Sequence, residues 1–360
     1  MKRRRFLESV GKAALGLGLT SRSHPRPDGP AASRELKNWT WVHGRDGSRA
    51  EWKRRFARLR AAEFHAVLVS GGDVETLAAS AHTEGLELHR WIWTLNRSGD
   101  RRVKENHPEW FSVSRAGHSS LEKPPYVDYY QWLCPTRREV REYLQGIVDR
   151  IAGDPAIDGV HLDYIRHPDV ILPVGLWSKY DLVQDRECPE FDFCYCEVCR
   201  RTFQRESGRD PLELPDPSQD AEWREFRCRG VTELVRALAE TVHAHDKPIT
   251  AAVFPTPALA RRLVRQAWDQ WPIDAVFPMI YHNFYDEDLA WIGEATQEGV
   301  AALRAGTPLY SGLYLPSLTP AELAGAVHLA LHGGASGIAT FEINRLSDVH
   351  LAYFSQAVRQ

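Results

Sequence analysis

Eight times along this chain a short apolar or aromatic run is followed by a stretch of helical period, and that alternation restricts the fold to parallel strands joined by crossover helices. Strands are predicted at residues 38–43, 65–70, 86–93, 158–163, 248–254, 275–281, 309–314 and 337–343. Helical patterns are predicted at 49–62, 74–84, 137–152, 258–270, 287–305, 320–332 and 347–358. Eight such units close naturally into a (β/α)8 TIM barrel, an architecture of roughly 250 residues or more. With 360 residues, 43% of them hydrophobic, the chain can fill one such core, although two ordinary domains also fit the length. Two connections are too long for turns: 94–135 after the third strand and 164–221 after the fourth. Both leave from carboxyl ends of strands, the face on which barrels build their clefts. The expected organisation is a leader and linker at 1–37 and a barrel at 38–360, with 164–221 as a cysteine-containing loop insertion.

The fourth strand carries the strongest chemical signal, Asp158-Gly-Val-His-Leu-Asp163-Tyr-Ile-Arg166-His-Pro168. Side chains alternate along a strand, so Gly159, His161 and Asp163 share one face and Val160 and Leu162 the other. With the apolar face on the helices, Asp163 stands at the carboxyl end of the strand and points into the mouth. The same parity places Trp39, Trp41 and His43 on one face of the first strand, and His89, Trp91 and Trp93 on one face of the third.

Composition narrows the ligand. A formal net charge of −3 offers no basic patch of the kind nucleic acid requires. The 12 Trp and 12 Tyr, several at predicted strand ends, supply flat rings suited to sugar faces as well as to core packing. At the N-terminus, Arg3-Arg4-Arg5-Phe6-Leu7 precedes a modestly apolar run from Val10 to Leu19, in the order of a twin-arginine export signal. That run is too short to span a membrane. The expected location is periplasmic or secreted, with no membrane association after signal removal. Nothing in the sequence points to an oligomeric state.

His107-Pro-Glu-Trp110, Pro135 leading into Arg138-Glu-Val-Arg-Glu-Tyr143, the Asp158 to Pro168 run and Phe277-Pro-Met-Ile-Tyr281 together resemble the glycosyl-hydrolase-like family labelled family-10-like. The resemblance covers most of 39–343 in the expected order. It implies an eight-stranded barrel acting on a polysaccharide or glycan.

Glycoside cleavage needs two carboxyl groups, one protonated and one ionised. Asp163 is the first candidate, expected as nucleophile or electrostatic stabiliser, with Arg166 holding it ionised or binding a substrate carboxylate. Glu342, in Thr340-Phe-Glu-Ile-Asn344, is the expected acid/base across the mouth. Its parity with Ile338 directs it toward the helices unless a bulge or the strand's end turns it inward. Should the two carboxyls diverge, Asp128, Glu109 and Asp169 on the long loops are the remaining acids. Expected substrate contacts are Trp41, His43, Trp93, His161, Arg166, Tyr281, His282 and Tyr314. Tyr281 resembles the Met-x-Tyr position of chitinase-like barrels, but Ile165 stands where those enzymes carry their acid, so their mechanism does not transfer.

Cys194-Tyr-Cys196-Glu-Val-Cys199 precedes a predicted helix at 200–207, with Cys188 six residues upstream and Cys134 and Cys228 further off. Thiolates this crowded suit a tetrahedral structural zinc, and the run followed by Arg-x-x-Phe203 resembles the zinc-bearing loop of some barrel β-galactosidases. Cys188 is taken as the fourth ligand, with Cys134 as the alternative. Disulfides are the rival, favoured by an oxidising compartment and an even total of six cysteines. No cofactor is expected for catalysis, because a closed thiolate site leaves no open position. The reading is therefore an exported glycoside hydrolase. A non-catalytic carbohydrate-binding barrel and a metal-dependent hydrolase are the alternatives, the latter disfavoured by few clustered His and Asp at strand ends.

Overall fold

The computed structural model describes residues 36–360, so the expected export signal lies outside the described residues. Eight parallel strands form the sheet: β1 (Trp39–Gly44), β2 (Ala66–Gly71), β3 (Glu87–Trp93), β4 (Gly159–Asp163), β5 (Ile249–Val253), β6 (Ala275–Pro278), β7 (Tyr310–Tyr314) and β8 (Gly337–Phe341). Neighbours in sequence are neighbours in space, and β1 pairs with β8. Bridges Val276↔Leu309 and Met279↔Gly312 join β6 to β7 and close the ring. Closure there needs a residue without a side chain, since a Cβ on Gly312 would come 2.6 Å from the Pro278 carbonyl oxygen. The result is a (β/α)8 barrel.

Among the described residues there are ten α-helices: α1 (Arg49–Ala61), α2 (Val74–Thr83), α3 (Arg101–Asn106), α4 (Arg138–Ala152), α5 (Glu197–Ser207), α6 (Ala221–His243), α7 (Pro257–Val264), α8 (Trp291–Ala302), α9 (Pro320–His332) and α10 (Asp348–Val358). Ser48 with Glu51, and Thr319 with Glu322, form capping boxes that satisfy the first amides of α1 and α9. The helix predicted at 258–270 stops at Val264 because Arg265 adopts a left-handed backbone (φ 55°). Its guanidinium is drawn into a buried ion pair with Glu187. Among the described residues, no helix is long and apolar enough to cross a membrane.

Strand parity divides the core into two layers. Val42, Val67, Val69, Leu88, Val160, Leu162, Val253, Val276 and Ile338 face outward and pack with the helices. Trp39, Trp41, Leu68, Trp91, Ala252, Phe277, Tyr310 and Ala339 fill the barrel. Lower in the barrel, a Cβ on Gly159 would lie 2.5 Å from the His89 ring, so the inward position opposite His89 must stay empty. Higher up, Trp41 Nε1 donates to His161 Nε2 at 3.3 Å, and His161 Nδ1 lies 2.8 Å from Thr250 Oγ1. Accepting from Trp41 leaves the imidazole proton on Nδ1, where it can be donated to Thr250. Burial and the neighbouring His89 push the His161 imidazole well below its usual range, so it stays neutral.

The two long loops are built as one wall. Backbone bridges pair Asn96 with Trp132 and Phe111 with Leu133 within the loop after β3, and Ser114 with Phe193 across to the loop after β4. Beneath them Asp192, fully buried, meets the guanidinium of Arg227 from α6 and accepts from the Tyr195 hydroxyl at 2.6 Å. A buried carboxylate is tolerable only with such partners.

Candidate active site

Asp163 ends β4 at the barrel's carboxyl-terminal mouth and lines a cavity of about 320 Å³. Strand ends supply His43, Trp91, Trp93, Met279, Tyr314 and Phe341; the long loops supply Tyr126, Tyr129, Tyr130, Tyr164, Arg166, Asp169 and Tyr180. Tyr281 and Tyr285 complete the aromatic lining beyond β6.

The carboxylate of Asp163 is held by two donors. Trp91 Nε1 donates to Oδ2 at 3.0 Å, and the Tyr164 amide donates to Oδ1 at 2.7 Å. Tyr164 has φ +49°, and in this left-handed turn its amide folds back onto the preceding side chain. Burial raises the Asp163 carboxyl above the usual carboxylate range; the two donors, Arg166 and His43 oppose the rise without cancelling it. A carboxyl shifted upward suits a proton donor better than the nucleophile expected from sequence.

Arg166 does not hold Asp163 directly. Its Nη1 donates to Asp169 Oδ2 at 2.9 Å, and both side chains are nearly inaccessible. The guanidinium lies 4.9 Å from the Trp132 ring and 5.0 Å from Phe254. Of the three reserve acids, Asp169 lines the cavity, while Asp128 and Glu109 do not.

Glu342 is a correction. It lies just beyond the end of β8, accepts from Asn344 Nδ2 at 3.0 Å, and is electrostatically linked to Arg55 of α1. It does not line the Asp163 cavity. Phe341, the last residue of β8, lines the cavity instead. Trp41 and His161 are corrected as well: 1% and 0% exposed, they hydrogen-bond to each other inside the barrel and reach no ligand space. His282 opens a short 3₁₀ turn outside the cavity lining, beside Glu322 and Asp288. Of the expected contacts, His43, Trp93, Arg166, Tyr281 and Tyr314 do meet around the cavity.

Sequence reasoning passed over Trp91, Tyr164 and the loop tyrosines as site residues. Trp91 was visible in the alternation with Trp93 but lacked a reason to outrank it. Its reason is the register, which sets Trp93 opposite Asp163 and Trp91 one pleat below, within reach of the carboxylate. Aromatic density at 126–132 was the available signal for the loop.

A second cluster lies in the loop wall. Cys134, Cys194, Cys196 and Cys199 are all buried, and their sulfurs lie within 4.8 Å of one another. Cys134 Sγ is 3.4 Å from Cys199 Sγ and 3.6 Å from Cys196 Sγ, well beyond a disulfide bond length. Amides of Val113 and Cys196 point at Cys194 Sγ, at 3.5 and 3.4 Å. Hydrogen bonding with its thiol neighbours drives Cys196 down, whereas burial pushes Cys134 up. Four converging sulfurs with amide donors fit a tetrahedral metal such as zinc. Cys188 is not among them. It is half-buried with its sulfur 3.8 Å from the Arg186 carbonyl oxygen, and the fourth sulfur of the cluster is that of Cys134, which the loop pairing carries there.

No protein-family model matches the chain, and no curated protein matches it by sequence. Solved structures do. The glycoside hydrolase domain of PgaB (BpsB) from Bordetella bronchiseptica superposes with a TM-score of 0.66 at 12% identity, covering 90% of this chain and 97% of that one. The catalytic domain of β-amylase from Paenibacillus polymyxa gives 0.61 at 12% identity, covering 91% and 99%. A β-galactosidase from Marinomonas ef1 gives 0.64 at 10% identity, and there the match spans 90% of this chain but 59% of the galactosidase. What the three share with this chain is the barrel fold.

Proposed function

We propose that this protein is a glycoside hydrolase acting on a poly- or oligosaccharide, with Asp163 as the proton donor to the departing sugar oxygen. The observation that carries the proposal is the setting of Asp163: a carboxyl raised by burial, fixed by Trp91 and the Tyr164 amide, and facing a cavity walled by aromatic rings. Rings stack on the apolar faces of sugars, and a carboxyl that keeps its proton can protonate a glycosidic oxygen. The barrel neighbours are named as sugar-cleaving enzymes, which favours the same class of substrate. The sequence resemblance to the family-10-like glycosyl hydrolases points the same way.

The cavity residues suggest a division of labour. Trp93, Tyr129 and Tyr314 offer ring faces; Tyr281 stays un-ionised because burial and the adjacent Asp163 raise its hydroxyl, so it can donate to a sugar oxygen. We further propose that Cys134, Cys194, Cys196 and Cys199 hold a structural zinc that ties the two loops together, and that the leader exports the protein by the twin-arginine route. The test is a reducing-end assay of purified protein against bacterial and plant polysaccharides, with Asp163→Asn alongside. Cleavage by the wild type, lost in the variant while glycan binding persists, is expected. Binding without cleavage by the wild type would make the protein a carbohydrate-binding barrel instead.

A further inference from the structure

We propose that His43 is the general base of the same reaction, taking a proton from the attacking water while Asp163 gives one to the leaving group. The inference rests on the assignment of Asp163 as proton donor.

Hydrolysis with a single acid leaves the water unactivated, so a second group able to accept a proton must face the same space. Among the described cavity residues, Arg166 and Lys179 are cations, and burial holds Tyr164, Tyr281 and Tyr285 un-ionised. Asp169 shares the cavity, but its carboxylate is committed to Arg166 at 2.9 Å in a nearly inaccessible pair. A proton taken there would break that pair and leave a buried guanidinium uncompensated. Glu342 faces α1. His43 remains.

Its geometry suits the task. His43 lies toward the carboxyl end of β1 and is exposed to the cavity. Nδ1 lies 3.2 Å from Ser70 Oγ on β2, which orients the ring; among the described residues this is the imidazole's one hydrogen bond, so Nε2 is left for water. Trp91 of β3 touches both partners: its ring centroid is 4.7 Å from that of His43, and its Nε1–H binds Asp163. Phe341 of β8 faces the ring edge-on at 6.2 Å. The charged group linked to the imidazole is Asp163 itself, on β4.

The step balances without another reactant. The water oxygen bonds to the anomeric carbon as the bond to the leaving oxygen breaks. One water proton moves to His43 Nε2, and the Asp163 proton moves to the leaving oxygen. The imidazolium and carboxylate then return to their starting states by one net proton transfer. A single displacement inverts the anomeric centre.

His43→Ala and His43→Asn are the test, both conservative for folding at an exposed position. Expected results are a fall in kcat of about 10²-fold or more with little change in KM, and partial rescue of His43→Ala by added imidazole. Proton NMR of the first product should show inversion. A kcat within about threefold of wild type, or a rise confined to KM with no rescue by imidazole, would reduce His43 to a substrate contact. A retained anomer would also overturn the proposal. Asp163→Asn is measured in parallel. If it is inactive while the His43 variants are fully active, only the base assignment fails; cleavage that survives Asp163→Asn, or a wild type that cleaves nothing, refutes the underlying functional reading.

Discussion

Trp91→Phe offers a direct reading of how the barrel sets the acidity of Asp163. The indole Nε1–H donates to Oδ2 at 3.0 Å, and this bond stabilises the ionised carboxylate. Removing the donor therefore raises the pKa further. A hydrogen bond to a charged group contributes about 1.5–3 kcal/mol, so the ionised form loses support of that order and the carboxyl moves further above the usual range. The Tyr164 amide at 2.7 Å remains, and water can enter beside the smaller ring, which favours the lower end. Activity requires protonated Asp163, so the alkaline limb of kcat/KM should move up while the plateau stays within a few-fold. The assay is kcat/KM from pH 4 to pH 9 on both proteins, with thermal melts as the control for folding. An alkaline limb that moves down, or does not move in a folded variant, would refute the view that Asp163 is the group whose proton is used.

Other consequences follow from the same contacts. Glu342→Gln should keep kcat within a few-fold, because Glu342 lies outside the cavity, whereas Asp163→Asn should lose about 10²-fold or more. Asp163→Asn should also raise Tm at neutral pH. The folded carboxyl titrates above its unfolded value, so its favourable contribution is present at low pH and is lost as pH rises through the folded pKa; removing the ionisable group removes that penalty. Metal analysis should find about one zinc per chain in wild type and in Cys188→Ser but a marked loss in Cys134→Ser; equal loss in both would return Cys188 to the ligand set. Arg227→Met removes the nearest partner of the buried Asp192 carboxylate, leaving Arg265, Arg115 and Tyr195, and should destabilise by up to about 3 kcal/mol in denaturant melts.

The barrel was legible because periodicity carries it. Each predicted strand lies within a few residues of the observed one, since inward and outward residues differ chemically along every strand. The same parity that placed Asp163 at the mouth also warned against Glu342, and at the end of β8 it is Phe341 that lines the cavity. Depth was harder to read. Trp41 and Trp93 carry the same side chain on the same kind of face, yet the first is core and the second lines the cavity, because the sequence does not mark where packing ends and ligand space begins. Long-range pairings were the least visible. Cys188 is near Cys194 in sequence but not in space, while Cys134 arrives through the pairing of 113–114 with 193–195, and no local pattern encodes that meeting.

The central claim, that Asp163 is the proton donor, is tested most directly by leaving-group dependence. Wild type and Asp163→Asn would be assayed on the natural glycan and on a dinitrophenyl glycoside of the same sugar, whose leaving group departs without a proton. The variant should lose cleavage of the glycan by about 10²-fold or more yet release dinitrophenol at a rate close to wild type. Equal loss on both substrates would contradict the role assigned to Asp163.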